Sequence, residues 1–79
     1  MSKVIFITGV SSGLGKHTAE YLALNGFTVY GSSRSGNPIA GGVIPLKMDV
    51  TDVKSIQEAI TTVLEKEGKI DVLINNAGM

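Results

Sequence analysis

Residues Thr8-Gly9-Val10-Ser11-Ser12-Gly13-Leu14-Gly15 form a glycine-rich stretch between an apolar run and a segment with helical periodicity. The preceding run, Val4-Ile5-Phe6-Ile7, has no polar alternation, which is typical of a strand buried on both faces of a parallel sheet. Positions without side chains in such a turn let backbone N–H groups approach a phosphate closely. The stretch therefore predicts a site for a dinucleotide pyrophosphate at the mouth of a sheet.

Helical and strand patterns alternate along the rest of the chain. A first helix of about three turns is predicted to end at Asn25-Gly26, and its periodic positions are Leu14, Thr18, Tyr21 and Leu22. Residues 35–42 contain too many breakers for a crossover helix, so a loop is predicted there. Three further strands are predicted at 27–31, 43–48 and 70–74.

A second helix is predicted between the third and fourth strands. Thr51 or Asp52 can cap its start, and Gly68 ends it. One apolar stripe runs along it, formed by Val53, Ile56, Ile60, Val63 and Leu64.

This alternation predicts an α/β fold, a partial Rossmann-type parallel sheet with strand order 3-2-1-4. The winding direction reverses at the first strand, so we expect one helix on each face of the sheet. Pro45 removes a ladder donor and predicts that the third strand lies at an edge. The fourth strand is then an apolar edge, and we expect self-association through it or through the uncovered sheet faces.

The composition restricts the class of partner. The chain has 79 residues, of which 43% are hydrophobic, with seven basic and seven acidic side chains. The sequence has no run of basic or acidic residues of the kind that contacts nucleic acid or a membrane surface. A small-molecule partner is therefore favoured. The absence of cysteine excludes disulfides and thiolate metal sites and favours a reducing compartment. The apolar run after Lys3 is too short for a signal peptide or a membrane span, so the predicted location is cytoplasmic.

Three motifs stand in a common register. They are the Gly9-x-x-x-Gly13-x-Gly15 pattern with Thr8, Asp49-Val50-Thr51 after the third strand, and Asn75-Asn76-Ala77-Gly78 after the fourth. Together they resemble the short-chain dehydrogenase/reductase family in order and approximate spacing. The resemblance covers the whole chain but only the amino-terminal part of a family domain. It implies that residues 1–79 belong to a single dinucleotide-binding domain whose carboxy-terminal catalytic part is absent.

Each residue of the first turn has a mechanical role in this interpretation. Gly9 lets the strand turn sharply, and Gly15 lets the helix approach the sheet. The residues predicted to present N–H groups or hydroxyls to the phosphates are Ser11, Ser12, Gly13 and Leu14. The alternative is a glycine-rich turn that binds nothing. A nucleoside triphosphatase loop is disfavoured, because Val10 occupies the position of its first glycine and His17 that of its hydroxyl residue.

By the same resemblance, the two later motifs contact the adenosine part of the cofactor. Asp49 and Val50 would lie along the adenine, with the carboxylate accepting from the exocyclic amino group. Alternatively, Asp49 ends its strand and helps to cap the next helix. The adenine ribose would be bordered by Asn76, Ala77 and Gly78, although two asparagines after a strand can also form a simple turn.

The end of the second strand predicts which nicotinamide cofactor is preferred. The residues there are Ser32-Ser33-Arg34, where an acidic residue would accept the ribose 2′-hydroxyl of NAD. A guanidinium instead matches a 2′-phosphate, so we predict that Arg34 favours NADP(H) and that NAD is the less favoured cofactor. The alternative is a solvated loop arginine.

No catalytic residue or metal site is predicted within the chain. Family members use a tyrosine with a lysine four residues later for proton transfer, but Tyr21 is followed by Asn25 and Tyr30 by Arg34 at that spacing. His17 has no partner at ligand spacing and is interpreted as a helix residue. Lys16 is near the helix start, where a contact with the cofactor phosphates is one alternative and a solvated lysine is the favoured one. Two functions stay open: an inactive portion of an NADP-dependent oxidoreductase, or a non-catalytic module that binds a dinucleotide or self-associates.

Overall fold

A computed structural model describes residues 3–10, 13–39 and 41–76. The elements follow in the predicted order: β1 (Val4–Thr8), α1 (Gly13–Leu24), β2 (Thr28–Ser33), β3 (Ile44–Lys47), α2 (Val53–Glu67) and β4 (Val72–Asn75). The strand ends differ from the sequence predictions by at most two residues, which is the usual uncertainty of such boundaries.

The sheet has the predicted order β3-β2-β1-β4, and each neighbouring pair is parallel. Phe6 in β1 pairs with Tyr30 in β2 and with Leu73 in β4. Pro45 lies in β3 opposite Gly31, and among the described strands β3 pairs with β2 alone, which confirms the predicted edge position. The carboxyl ends of all four strands therefore meet at one edge of the sheet.

The two faces of β1 support separate cores. Val4 and Phe6 belong to a buried cluster with Ala59 and Val63 of α2. Ile5 and Ile7, which point to the other face, cluster with Ala19 of α1. One helix therefore packs on each face, as the reversal of winding direction predicts.

The predicted apolar faces of both helices need correction. Leu14 and Tyr21 are 71% and 66% exposed, and α1 instead buries Gly15 and Ala19. Small residues bring this helix close to the sheet, and Leu14 and Tyr21 point outward. Leu22 of the predicted face does pack against the buried cluster on that side of the sheet.

On α2 the corrected stripe consists of Ile56, Ala59, Ile60 and Val63. Val53, the first residue of the helix, and Leu64 lie outside that cluster and are 68% and 44% exposed. Leu64 is rotated by about 100° from Val63 around the helix axis, which takes it off the packed face.

The ends of α2 are defined by specific caps. Asp52, rather than Thr51, is the N-cap, and its side chain accepts a hydrogen bond from the Lys54 N–H at 3.0 Å. Gly68 ends the helix in a left-handed conformation with φ 78°, and its N–H donates to the Leu64 carbonyl at 2.8 Å. Neither of the described helices combines the length and the apolar character that crossing a membrane requires.

Candidate functional site

The turn after β1 is held against the end of β2. Gly9 has a left-handed φ of 72°, and the N–H groups of Gly9 and Val10 both donate to the Ser32 carbonyl at 3.0 Å. The Val10 side chain is fully buried, and a Cβ at Gly31 would lie only 2.7 Å from its Cγ2. These two amides fix the turn to the sheet, so an anion would have to use N–H groups further along the turn.

The start of α1 approaches the sheet most closely at Gly15. A Cβ at this position would overlap both the Gly9 carbonyl oxygen and Asn76 Nδ2. The Asn76 side-chain amide donates to the Gly9 carbonyl at 3.1 Å, and the Asn76 N–H donates to Thr8 Oγ1 at 3.0 Å. Thr8 in turn donates to Asn75 Oδ1 at 3.0 Å. Gly9, Gly15 and Asn76, predicted from two separate motifs, therefore meet at one point.

The first turn of α1 is open to solvent on its outer side. Gly13 starts the helix with φ 67°, and a Cβ there would meet no atom of the described residues within 4 Å. Leu14 follows it and is largely exposed. The first N–H groups of a helix have no intrahelical acceptor and carry the positive end of its dipole. The predicted phosphate ligands Ser11 and Ser12 lie outside the described residues, as do Ala77 and Gly78 at the predicted ribose site.

Asp49 organises the turn that leads into α2. Its Oδ1 accepts from the Thr51 N–H at 2.9 Å and from Thr51 Oγ1 at 2.7 Å, and its own N–H donates to Ser55 Oγ at 2.9 Å. The two Thr51 hydrogen bonds lower the pKa of Asp49, and the charge of Arg34 adds a smaller lowering. Both bonds use one oxygen, and a carboxylate has further acceptor positions. The structural role of Asp49 and its predicted adenine contact are therefore compatible.

Two cavities lie on opposite faces of the sheet. The first, of about 320 Å³, lies between α1 and the loop after β2 and is lined by Val10, Lys16, Ser33, Ser35, Asn37, Pro38 and Ile39. The second, of about 370 Å³, is mainly apolar and is lined by Phe6, Thr8, Met48, Val50, Ile56, Ile60, Leu73 and Asn75. Val50, predicted to lie along the adenine, is 41% exposed at the second cavity. Arg34 is exposed at the carboxyl end of β2, beside the first cavity.

The histidine and the two tyrosines, which are candidate catalytic side chains by residue type, do not line either cavity. His17 and Tyr21 are exposed on α1. Tyr30 is 1% exposed, and its hydroxyl donates to Glu67 Oε2 at 2.6 Å. Burial, followed by the hydrogen bond and the charge of Glu67, raises the pKa of Tyr30 to about 12. Among the described residues no group of acidic, histidine or cysteine side chains could hold a metal ion.

Sequence reasoning missed the first cavity. Lys16 was interpreted as a solvated lysine, and the loop that completes the cavity has no periodic pattern from which its conformation could be inferred. The sequence feature that could have indicated an ordered loop beside this cavity is the pair of serines on either side of Arg34, since serine hydroxyls commonly order a turn.

Comparison with known proteins identifies the family of the site. Residues 3–79 match the family profile described as short chain dehydrogenase. The chain is 47% identical over 77 residues to a 3-ketodihydrosphingosine reductase of Bacteroides thetaiotaomicron, covering 98% of the chain and 29% of that protein. It is 36% identical over 86 residues to an NADPH-dependent pterin aldehyde reductase of Arabidopsis thaliana, covering 98% of the chain and 36% of that protein.

A solved structure gives the same result. The ligand-free aldohexose dehydrogenase of Thermoplasma acidophilum superposes with a TM-score of 0.89 at 32% identity, over 99% of the chain and 30% of that protein. The chain therefore spans about a third of the length of the relatives that it matches.

Proposed function

The chain belongs to the short-chain dehydrogenase family, and we propose that it is the NADP(H)-binding portion of an oxidoreductase that transfers hydride between nicotinamide and a carbonyl or alcohol substrate. In this proposal, residues 1–79 are the amino-terminal part of one dinucleotide-binding domain. The tyrosine and lysine that move the proton, together with the substrate pocket, belong to a carboxy-terminal part. The 79-residue chain alone would therefore bind the cofactor without turning over a substrate.

The observation that carries the proposal is the close approach at Gly15. No side chain fits between this residue, the Gly9 carbonyl and the Asn76 amide, so α1 starts directly above the carboxyl ends of β1 and β4. A helix that starts at this edge of a parallel sheet directs its N–H groups and its positive dipole toward a bound phosphate. The position of the start of α1 thus supports a diphosphate bridge bound at the glycine turn.

In the proposed complex, three parts of the cofactor contact three groups of residues at the carboxyl ends of the strands. The pyrophosphate would be held by the turn, through Ser11, Ser12, Gly13 and Leu14. The adenosine would lie against Asp49, Val50, Asn76, Ala77 and Gly78, and Arg34 would favour the 2′-phosphate of NADP(H). The NADPH dependence named for the Arabidopsis relative supports this preference.

The residues of this chain contribute binding and orientation to the reaction. When bound, the nicotinamide supplies or accepts the hydride. Asn76 holds the Gly9 carbonyl at the start of the glycine turn, which would help to fix the pyrophosphate relative to the strand ends. Holding two reactants in a fixed geometry is the contribution that such a binding portion makes to catalysis.

The proposal is tested by calorimetric titration of the 79-residue chain with NADPH and NADH. We expect binding of NADPH, and we expect Gly15→Ala to weaken it at least about tenfold, because the new Cβ would displace the Asn76 amide from the Gly9 carbonyl. Gly68→Ala is the matched control: it strains a left-handed helix cap with φ 78° at the opposite edge of the sheet. Equal binding by Gly15→Ala and the unmodified chain would contradict the proposed site.

A non-catalytic module is the second candidate, favoured by the exposed apolar edge at β4. Val72 and Leu73 are 40% and 58% exposed there, and a bare strand edge is a template for pairing with another chain. Reading the encoding gene beyond codon 79 separates the candidates. A downstream Tyr-x-x-x-Lys supports the oxidoreductase, and a stop codon supports a module that binds or self-associates without chemistry.

A further inference from the structure

We propose that Lys16 is a specificity-determining residue that recognises the 2′-phosphate of NADP(H) from within the cavity between α1 and the loop after β2. This inference rests on the proposed dinucleotide function and adds to it a cation that the sequence motifs do not include. It concerns the discrimination between the two nicotinamide cofactors, not the binding of their shared diphosphate.

The charge of the cavity favours an anion. Lys16 is the only charged side chain among the described residues that line it, and no carboxylate there opposes it. The polar groups around it are the hydroxyls of Ser33 and Ser35 and the side-chain amide of Asn37. A cation surrounded by hydroxyl and amide donors is the set of groups that a phosphate monoester prefers. The volume of about 320 Å³ is ample for a phosphate on a ribose ring.

The wall of the cavity is ordered by its own serines. Ser33 Oγ accepts from the Gly36 N–H at 3.1 Å, and Ser35 Oγ accepts from the Asn37 N–H at 3.3 Å. A hydroxyl that accepts a hydrogen bond still carries a proton that it can donate to a ligand. Gly36 also fits closely against β3, since a Cβ there would lie 2.9 Å from Lys47 Cβ. The loop is therefore a prearranged wall, which reduces the entropy lost on binding.

The position of the cavity selects the 2′-phosphate over the pyrophosphate. Ser33 is the last residue of β2, and Val10, at the base of the cavity, is already committed through its N–H to the β2 carbonyl of Ser32. In dinucleotide-binding sheets the adenine-side ribose lies at the end of the second strand, about 20 residues past the glycines. A phosphate on that ribose would lie between the strand end and α1, on the side where Lys16 projects.

Arg34 has a different electrostatic neighbour. It does not line the cavity, although both residues next to it do. Its guanidinium is close enough to Asp49 to contribute to the lowered pKa of that carboxyl. Arg34 thus also acts on an acid, whereas Lys16 faces a cavity without an acid among the described lining residues. Lys16 is accordingly expected to contribute to NADP(H) selection even when Arg34 is removed.

The test is titration of the unmodified chain, Lys16→Ala and Lys16→Arg with NADPH, NADH, adenosine 2′,5′-bisphosphate and ADP. We expect Lys16→Ala to bind NADPH and the 2′,5′-bisphosphate about tenfold more weakly, with NADH and ADP unchanged. Lys16→Arg should keep most of the preference because it keeps the charge. Lys66→Ala, at the far end of α2, removes an exposed lysine and should change no affinity.

The possible failures are distinguishable. An equal loss for NADPH and NADH would mean that Lys16 contacts the shared pyrophosphate, and it would overturn the inference while leaving the proposed function intact. Unchanged affinity for all four ligands would overturn it as well. If the unmodified chain bound neither dinucleotide, the proposed function would fail, and this inference with it.

Discussion

Asn76 and Gly15 depend on each other at the level of single atoms. The Asn76 side-chain amide occupies the space that a Cβ at position 15 would need, and it uses that space to donate to the Gly9 carbonyl. Its side chain is therefore already engaged beneath the turn. A contact from Asn76 to a ribose would have to use its remaining polar atoms, while the amide donor maintains the turn. Asn76 thus has a structural role beside the binding role that we propose for it.

Tyr30 provides a prediction about stability. Replacing this buried tyrosine with phenylalanine removes the 2.6 Å hydrogen bond to Glu67, so Tyr30→Phe should lower the free energy of unfolding at pH 7 by about 1 to 3 kcal/mol. The pKa of Tyr30 is raised to about 12, so its stabilising contribution is complete below the ordinary value of 10 and is lost as the pH rises through 12. The difference between variant and native chain should narrow over that range in urea denaturation.

The chain contains a matched control for this measurement. Tyr21 is 66% exposed on α1, so Tyr21→Phe should leave the free energy of unfolding nearly unchanged at every pH. A comparable loss for both variants would contradict the importance of the Tyr30 hydrogen bond.

Residue-level inference from sequence was reliable where backbone constraints decide and poor where packing decides. The meeting of Gly9, Gly15 and Asn76 follows from the fact that parallel strands bring their carboxyl ends together. The exposure of Leu14 could not be read from periodicity, because α1 packs most closely on the sheet through Gly15 and Ala19 and leaves Leu14 outside the core. The cavity at Lys16 depends on a loop conformation that no periodic pattern specifies.

At the scale of elements, β1 and β4 are joined at their starts by a reciprocal pair of hydrogen bonds. The Val4 N–H donates to Asp71 Oδ2 at 2.7 Å, and the Asp71 N–H donates to the Val4 carbonyl at 2.8 Å. Lys69 Nζ lies 3.1 Å from the same carboxylate oxygen. Asp71 thus aligns the last strand with the first, across 67 positions of sequence.

This junction predicts a specific dependence on pH. The Val4 N–H, followed by Lys69, lowers the pKa of Asp71 below its ordinary value of 3.8. A lowered pKa in the folded state means that the contribution is present above that ordinary value and is lost as the pH falls through the folded value. Asp71→Asn should therefore be less stable than the native chain at pH 7, and the difference should shrink as the pH falls below the ordinary value of 3.8.

Chemical denaturation at several acidic pH values would measure this difference. Glu65→Gln, which changes an exposed carboxylate on α2, is the control and should follow the native chain throughout. A constant difference between Asp71→Asn and the native chain over the whole range would show that the ionised carboxylate does not hold the junction.

The order of elements was more predictable than their exact faces. Strand order 3-2-1-4 and the placement of one helix on each face follow from chirality and from the reversal at β1, and both were confirmed. The choice of Asp52 over Thr51 as the cap was not decidable from sequence, since either oxygen can reach the first N–H groups of a helix. Thr51 instead donates to Asp49.

At the scale of the whole molecule, β4 leaves its outer edge without a neighbour among the described residues. Leu73 projects to the α2 side, where it lines the apolar cavity, while Val72 and Ile74 project to the other side. We expect two copies of the 79-residue chain to join their β4 edges around a two-fold axis, because closed two-fold pairs are the commonest form of self-association.

Symmetry restricts the alignment of such a pair. Two antiparallel β4 strands related by a two-fold axis must place a residue opposite itself, and only residues that project to the same side can face one another. Centring the pair on Leu73 places Val72 opposite Ile74 of the second copy, so every central contact is apolar. Centring it on Ile74 would instead place Leu73 opposite Asn75. The first alignment is therefore expected.

The natural absence of cysteine makes this alignment directly measurable. Leu73→Cys should form an intermolecular disulfide readily under mild oxidation, because the Cα atoms of directly opposed residues lie about 4.5 to 5.5 Å apart, a separation that a disulfide can span. Val72→Cys is the matched control: its two copies would be diagonal neighbours about 7 to 8 Å apart and should cross-link poorly. Equal cross-linking of both variants, or sedimentation of the native chain as a monomer at high concentration, would exclude this pairing. Cross-linking at Leu73 alone would show that the exposed edge selects a partner by side-chain pattern, since both positions have similar backbone access.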